Sequence, residues 1–170
     1  MNEANKKTVL VVDDEEDVLK YLSSALKASG FNVVIAHDGF EAMEQVKLYN
    51  PDLISLDLVM PKRSGVKFYR ELIKNKEWSK IPVLIVTGHA RDDLGKADLK
   101  SLTMSGPEVY LEKPVMPDNY IASIKKLIGM EIEEDEKKIA DKIELQSKLK
   151  TLVDDADPET LRKIREMLEN

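Results

Sequence analysis

Short apolar runs and longer amphipathic segments alternate along the chain. The runs hold three to six residues without strict alternation of apolar and polar positions. Such runs are typical of strands that are buried on both faces of a parallel sheet. The pattern predicts five strands: residues 8–12, 31–36, a third strand around Leu53, Ile54, Leu56 and Leu58, residues 82–87 and residues 109–111.

The segments that follow these runs place apolar residues at helical spacing. They predict five helices: one that ends before Gly30, one over residues 39–49, one from Gly65, one within 91–106 and one over 117–128. The residues expected on their buried faces are Val18, Leu22, Ala25, Leu26; Phe40, Met43, Val46; Val66, Tyr69, Leu72, Ile73; Leu94, Ala97, Leu99, Leu102; and Tyr120, Ile121, Ile124, Leu127, Ile128. Right-handed crossovers between such units predict a doubly wound, five-stranded α/β sheet with all carboxyl ends at one edge.

The third run leads directly into a carboxylate, Asp57. A charge inside a buried run is costly, so we expect Asp57 at the carboxyl end of the strand, where open α/β sheets bind ligands. Met60-Pro61 ends strand pairing, and Gly65 closes the loop. Taken alone, the pattern around Asp57 favours a role in capping a turn.

Five consecutive acids, residues 13–17, follow the first strand. Acids in the first turn of a helix interact favourably with its dipole, which accounts for Glu15, Glu16 and Asp17. Asp13 and Asp14 precede the helix, so we expect them at the mouth of the sheet.

Five polar side chains are therefore expected to converge at one edge of the sheet: Asp13, Asp14, Asp57, Thr87 and Lys113. Three carboxylates can bind a hard divalent cation such as Mg²⁺. The cation and a lysine would neutralise a transferring phosphoryl group, one oxygen of which could bond the Thr87 hydroxyl. Asp57 would be the nucleophile and would form an acyl phosphate.

Composition limits the remaining possibilities. A chain of 170 residues with 42% hydrophobic content can form one core and a small addition. It has no cysteine, no apolar run long enough for a membrane span and no signal-peptide pattern, so we expect a cytoplasmic protein without a membrane partner. Residues 131–170 carry 13 acidic and 8 basic side chains, which argues against a nucleic-acid partner.

Four motifs follow one another along the chain: Val11-Val12-Asp13-Asp14-Glu15, Asp57-Leu-Val-Met-Pro61 followed by Gly65, Val86-Thr87, and Tyr110-Leu-Glu-Lys113-Pro114. With these motifs, residues 8 to 128 closely resemble the receiver domain of two-component response regulators. The resemblance implies a response regulator in a two-component system or phosphorelay, which accepts a phosphoryl group from a histidine kinase or a histidine phosphotransfer protein. Such a protein assists its own phosphorylation and dephosphorylation but is not otherwise an enzyme.

The resemblance also implies roles for individual residues. Asp57 would be phosphorylated, and Mg²⁺ would be bound by Asp14, Asp57 and the backbone carbonyl of Val59, with Asp13 acting largely through metal-bound water. Lys113 would pair with the phosphoryl group, and its peptide bond to Pro114 would be cis.

Thr87 and Tyr110 match the switch pair of the family. The hydroxyl would move toward the phosphoryl group and the aromatic ring would turn inward; the alternative is that Tyr110 is an ordinary core aromatic. The chain departs from the family at Gly88, where alanine is common, and in a longer interval from Thr87 to Lys113. His89 is expected to be a solvated loop histidine rather than a metal ligand.

Three other functions are compatible with parts of this pattern. A hydrolase of the aspartyl-phosphate type would want an acid two residues after Asp57, where Val59 stands. A nucleotide-binding protein of the P-loop type requires a Gly-rich loop with Gly-Lys-Ser/Thr, which the sequence lacks. An interaction module that binds partners without phosphorylation remains the alternative.

Residues 130–170 are predicted to form an acidic, amphipathic helical extension to a receiver domain at residues 1–129. Its apolar stripe comprises Ile132, Ile139, Ile143, Leu149 and Val153, and Gly129 is expected to be a tolerable interior position in one continuous helix. Asp157-Pro158 predicts a second short helix with Leu161, Ile164 and Leu168, which together suggest a helical hairpin. Docking on the receiver and a homodimer through these helices would each bury the stripe, and the dimer is the favoured prediction.

Overall fold

A computed structural model of the protein describes residues 6–62, 64–88 and 109–168. Its five strands are β1 (Thr8–Val12), β2 (Asn32–Ala36), β3 (Leu53–Leu56), β4 (Val83–Thr87) and β5 (Tyr110–Glu112). They form one parallel sheet in the order β2-β1-β3-β4-β5. This is the doubly wound order of flavodoxin-like folds, so the predicted fold class is confirmed.

The described helices are α1 (Glu16–Ala28), α2 (Gly39–Tyr49), α3 (Gly65–Lys74), α4 (Pro117–Leu127), α5 (Glu134–Asp155) and α6 (Pro158–Leu168), with a short 3₁₀ helix at Trp78–Lys80. The helix predicted within 91–106, and His89, lie outside the described residues. Of the helices that the structure describes, none combines the length and the apolar character needed to cross a membrane.

The sheet separates two apolar layers, and its side chains alternate between them. Along β1, Leu10 and Val12 pack in one layer with residues of α2 and α3. Val9 and Val11 pack in the other layer with residues of α1 and α4. Because both faces are covered, the strands read as continuous apolar runs in the sequence.

Among the described residues of the five predicted helices, two apolar side chains expected on buried faces are exposed instead. Phe40 in α2 is 61% exposed and Ile73 in α3 is 38% exposed, while Ala42 and Phe68 are fully buried. The reason is helical geometry: Phe40 lies six residues before Val46, which at 100° per residue places it about 120° from the buried face. The predicted apolar faces are thus centred on the buried residues but include side chains at their margins that are exposed.

Helix α4 stops at Gly129, and the predicted uninterrupted continuation of this helix is wrong. Gly129 has a φ of +68°. Its N–H bonds the carbonyl of Lys126 and the Met130 N–H bonds that of Lys125, which is the hydrogen-bonding pattern of a helix end with a left-handed residue. The chain then turns back, and a new helix, α5, begins at Glu134 with a capping box formed by Glu133 and Glu136.

Helix α5 packs on α4 and on the edge strand β5. Its buried residues are Ala140, Ile143 and Ser147. Burial of the two apolar side chains contributes on the order of 3 kcal/mol. The predicted stripe is therefore right at Ile143 and wrong at Leu149 and Val153, which are 51% and 42% exposed.

The docked helix is also held by ion pairs. Lys125 lies 2.6 Å from Glu136, and Lys126 contacts Asp141 at 2.6 Å and Glu144 at 2.5 Å. Hydrogen bonds from Lys126 and then Lys148 lower the pKa of Glu144 to about 2. Glu144 is therefore a point at which pH acts on the α4–α5 contact.

Acid should weaken this contact. Because the pKa of Glu144 is depressed in the folded state, its contribution is complete above its unfolded pKa of about 4.5 and is lost as the pH falls toward 2. Glu144→Gln should lower the free energy of unfolding at neutral pH by about 1 kcal/mol. It should also flatten the pH dependence below about 4.5, as measured by urea unfolding. Glu159→Gln, which removes an exposed pair within α6, is the control. Equal pH profiles for wild type and Glu144→Gln would refute the assignment.

Candidate functional site

The carboxyl ends of the strands bring the predicted polar residues to one edge of the sheet. Asp13 follows β1, Asp57 follows β3, Thr87 ends β4 and Lys113 follows β5. Backbone bonds extend the strand pairing into the site: the Asp57 N–H bonds the carbonyl of Val12 at 2.9 Å, and the Lys113 N–H bonds that of Thr87 at 3.2 Å. The predicted convergence is thus visible in the described backbone.

Three carboxylates meet at this edge. Asp13, Asp14 and Asp57 each offer an oxygen, and these oxygens lie within 4.8 Å of one another. Asp13 and Asp57 are buried, whereas Asp14 is exposed. Hard oxygen ligands of this kind suit Mg²⁺, whose charge would offset their mutual repulsion.

Lys113 supplies positive charge to the same site. Its Nζ lies 2.7 Å from Asp13, 3.0 Å from Glu15 and 3.2 Å from Asp57. Burial favours the neutral amine, but the hydrogen bond to Asp13, the charge of Asp57 and the hydrogen bond to Glu15 outweigh it and hold the pKa of Lys113 well above its usual range. The lysine is therefore a fixed cation in reach of the Asp57 carboxylate.

Burial also affects Asp13. It raises the pKa of Asp13 above the usual value, although hydrogen bonds from Lys113 and from the Glu15 N–H oppose this rise. Ionised Asp13 therefore depends on nearby positive charge, which Lys113 supplies at 2.7 Å and to which a bound metal would add.

Glu15 belongs to the site, and the sequence interpretation missed it. The helix-dipole explanation is sufficient for Glu16 and Asp17, but the Glu15 carboxylate reaches Lys113. A turn in which the Glu15 N–H bonds Oδ1 of Asp13 at 3.0 Å directs the chain there. The sequence signal was the position of Glu15, two residues after a strand-end acid.

The loop after β3 is built tightly around Asp57. The N–H of Val59 bonds Oδ1 of Asp57 at 3.2 Å, and the Gly65 N–H bonds the Leu58 carbonyl at 3.0 Å. A Cβ at Gly65 would lie 1.9 Å from the carbonyl oxygen of Asp57, so only glycine fits where α3 begins. The predicted role of the Val59 carbonyl in metal binding remains a prediction.

The remaining predicted residues lie beside this site. The side chain of Thr87 is buried at the end of β4, next to Gly88, whose Cβ position would lie 3.8 Å from the Lys113 side chain. The Lys113–Pro114 peptide bond is cis, as the resemblance implies. Tyr110 is buried in the edge strand, and its hydroxyl donates to the carbonyl of Ser147 at 3.2 Å. The switch roles of Thr87 and Tyr110 remain predictions.

Comparison with known proteins identifies the family. Residues 9–125 match the family model described as the response regulator receiver domain. The chain belongs to the response regulator receiver family. It is 32% identical over 123 residues to the polar-differentiation response regulator DivK of Brucella ovis, and this match covers 72% of the chain and 97% of DivK. Members of the family act in two-component signalling, so this receiver is a signalling protein rather than a classical enzyme.

Solved receiver structures share the fold. The signal receiver domain of a response regulator from Bermanella marisrubri is 35% identical, with a TM-score of 0.64, and the match covers 73% of this chain and 99% of that one. The receiver domain of the sensor histidine kinase PA1611 from Pseudomonas aeruginosa PAO1 has a TM-score of 0.66 at 22% identity, with coverage of 73% and 98%. That structure has a magnesium ion coordinated in its active-site cleft. Receiver domains bind Mg²⁺ in an acidic site, and Asp13, Asp14 and Asp57 form such a cluster here.

Removing one carboxylate should weaken metal binding. Asp14→Asn takes one charged ligand from the cluster, so we expect the Kd for Mg²⁺ to rise at least about tenfold. NMR titration of amide shifts near the site would measure this Kd. Asp17→Asn, which removes an exposed acid from the same run, should leave it unchanged. Equal Kd values for the two variants would exclude Asp14 as a ligand.

Proposed function

We propose that this receiver accepts a phosphoryl group on Asp57 from a histidine kinase or a histidine phosphotransfer protein. The observation that carries the proposal is the placement of Asp57, Lys113 and two further acids at one sheet edge. A carboxylate oxygen of Asp57 attacks phosphorus, the bond from phosphorus to the donor nitrogen breaks, and an acyl phosphate forms on Asp57. The receiver thereby assists its own phosphorylation and, with water as acceptor, its dephosphorylation.

The charged side chains around Asp57 have distinct roles in this reaction. Asp13, Asp14, Asp57 and the Val59 carbonyl would hold Mg²⁺, which when bound supplies charge against the phosphoryl oxygens. Lys113 now contacts Asp57 at 3.2 Å, and it would pair with a phosphoryl oxygen after transfer. Its high pKa keeps this charge in place across the physiological pH range.

The signal would pass through Thr87 and Tyr110. Thr87 would bond a phosphoryl oxygen, and the position of Tyr110 would follow, so that phosphorylation favours one of two packings of the same core. Burial of both side chains supports this, because a buried residue cannot move without changing its neighbours. The output would be a change of partner or of self-association.

A cleft beside the acceptor supports a protein donor. It has a volume of about 550 Å³, and Lys113 lines it together with apolar residues that include Val18, Tyr21 and Val115. An apolar surface next to a charged reaction centre suits docking of a protein surface that presents a phosphohistidine. The predicted cytoplasmic location, without nucleic-acid or membrane partners, remains part of this proposal.

Replacing Asp57 tests the chemistry. With Mg²⁺ and a small donor such as acetyl phosphate, the wild type should gain one phosphoryl group by intact mass, whereas Asp57→Asn and the wild type without Mg²⁺ should gain none. Asp118→Asn, at an exposed site in α4, should be labelled like the wild type. Equal labelling of the Asp57→Asn variant would exclude Asp57. An unlabelled wild type that still binds its partner would favour the interaction module that works without phosphorylation.

We also propose a division into a receiver at residues 1–129 and an extension at 130–170 that forms a helical hairpin and mediates a homodimer. The outer face of α5 supports the dimer. Leu145, Leu149 and Leu152 recur at helical spacing there and are each more than half exposed. A second copy of this helix would cover them, as in a short helical pair.

Charge on this outer stripe should prevent the dimer. Leu149→Glu should convert a dimer at micromolar concentration into a monomer in analytical ultracentrifugation, because it places a carboxylate in an apolar contact. Lys142→Glu, at an exposed position of the same helix, should not. A wild type that is monomeric both with and without beryllofluoride would rule the dimer out.

A further inference from the structure

Helix α5 contacts the strand that leads into the phosphoryl-binding lysine. The Tyr110 hydroxyl donates to the Ser147 carbonyl at 3.2 Å, and the Ser147 hydroxyl lies 3.3 Å from the Tyr110 carbonyl. The Tyr110 hydroxyl thus bonds α5 directly, whereas the one Ser147 hydroxyl proton is shared between the Tyr110 carbonyl and the nearer Ile143 carbonyl at 2.9 Å; Ser147 is buried.

A second contact lies one helical turn further along. Lys150 pairs with Glu112 at 3.4 Å, and its Nζ lies 5.5 Å from the centre of the Tyr110 ring. The helix therefore holds the first and the last residue of β5. Only Leu111, the central residue of this strand, lies between them.

The same strand is joined directly to the reaction centre. Lys113 is the next residue after Glu112, and its ammonium is held by Asp13, Glu15 and Asp57. Phosphorylation replaces the single negative charge of the Asp57 carboxylate by the roughly −2 charge of an acyl phosphate with three acceptor oxygens, and Lys113 would turn toward these oxygens. Because β5 is short and lies at the sheet edge, a shift of Lys113 would also displace Tyr110 and Glu112, which α5 contacts.

Few buried apolar side chains hold α5 on the receiver. They are those of Ala140 and Ile143, and the ion pairs at Lys125 and Lys126 beside them are partly buried. The hydrogen bonds to Tyr110 are thus a substantial part of what orients the helix. A displacement of β5 that removes these bonds would therefore lower the docked population.

We propose that α5 is a built-in ligand of the β5 edge and that phosphorylation of Asp57 weakens its docking. This rests on the proposed phosphoacceptor function. The contacts of docked α5 fit the position of β5 when Lys113 bridges Asp13, Glu15 and Asp57. They are lost in part when Lys113 turns to a phosphoryl group. Release of α5 uncovers Tyr110, Glu112 and the edge of the sheet for another protein. The factor by which phosphorylation lowers the equilibrium constant for docking of α5 then equals the factor by which docking disfavours the phosphorylated state.

Hydrogen exchange on the full chain tests this coupling. Beryllofluoride with Mg²⁺, which mimics the acyl phosphate, should speed amide exchange in residues 140–151 about two- to tenfold and leave α1 unchanged. Asp57→Asn should show no response. Fluorine NMR measures whether beryllofluoride is bound.

Ser147→Ala provides the reciprocal measurement. It should speed exchange in α5 without beryllofluoride and tighten beryllofluoride binding by a comparable factor. Ser24→Ala is the matched control, because Ser24 bonds the carbonyl four residues earlier in α1 just as Ser147 does in α5, without touching β5.

The two proposals fail in different ways. If the wild type binds no beryllofluoride, the proposed phosphoacceptor function is wrong, and the proposed coupling, which depends on it, is wrong as well. If beryllofluoride binds but α5 exchange stays constant, or if Ser147→Ala loosens α5 and leaves the affinity unchanged, the helix is a static cover and the coupling is refuted.

Discussion

The ion-pair cluster at Lys113 is the interaction on which the rest of the site depends. A parallel sheet brings the carboxyl ends of β1 and β3 together and so places Asp13 and Asp57 side by side in a buried position. Two buried carboxylates this close repel each other, so a neighbouring positive charge stabilises the pair. Lys113, which follows the edge strand, supplies that charge and links three strand ends into one electrostatic unit.

Much of this arrangement could be predicted from the sequence, because it follows from backbone topology. Continuous apolar runs identify the strands, right-handed crossovers place their carboxyl ends together, and the residue after each run is then expected in the site. The place of Glu15 in the site was not predicted, because its position in the first turn of α1 was already explained by the helix dipole. Its contact with Lys113 depends on a turn at Asp13 that no periodicity encodes.

The extension was harder to predict for two physical reasons. A glycine in a helical pattern is either a tolerated interior residue or a left-handed stop, and only the φ of Gly129 distinguishes the two. Docking then uses small and polar residues, Ala140 and Ser147, which allow close approach but carry little weight in an apolar pattern. The sequence therefore emphasised Leu149 and Val153, which face outward.

The short connection between α4 and α5 determines how strongly a partner must bind to displace α5 from the β5 edge. Residues 128–133 separate the two helices, so an undocked α5 stays close to its binding surface at an effective concentration in the millimolar range. A competing protein in the cell must overcome that local concentration in addition to its own ordering cost. Tether length thus acts as an affinity threshold: weak or scarce competitors are excluded from the edge, and lengthening the connection would lower the threshold without changing a single contact.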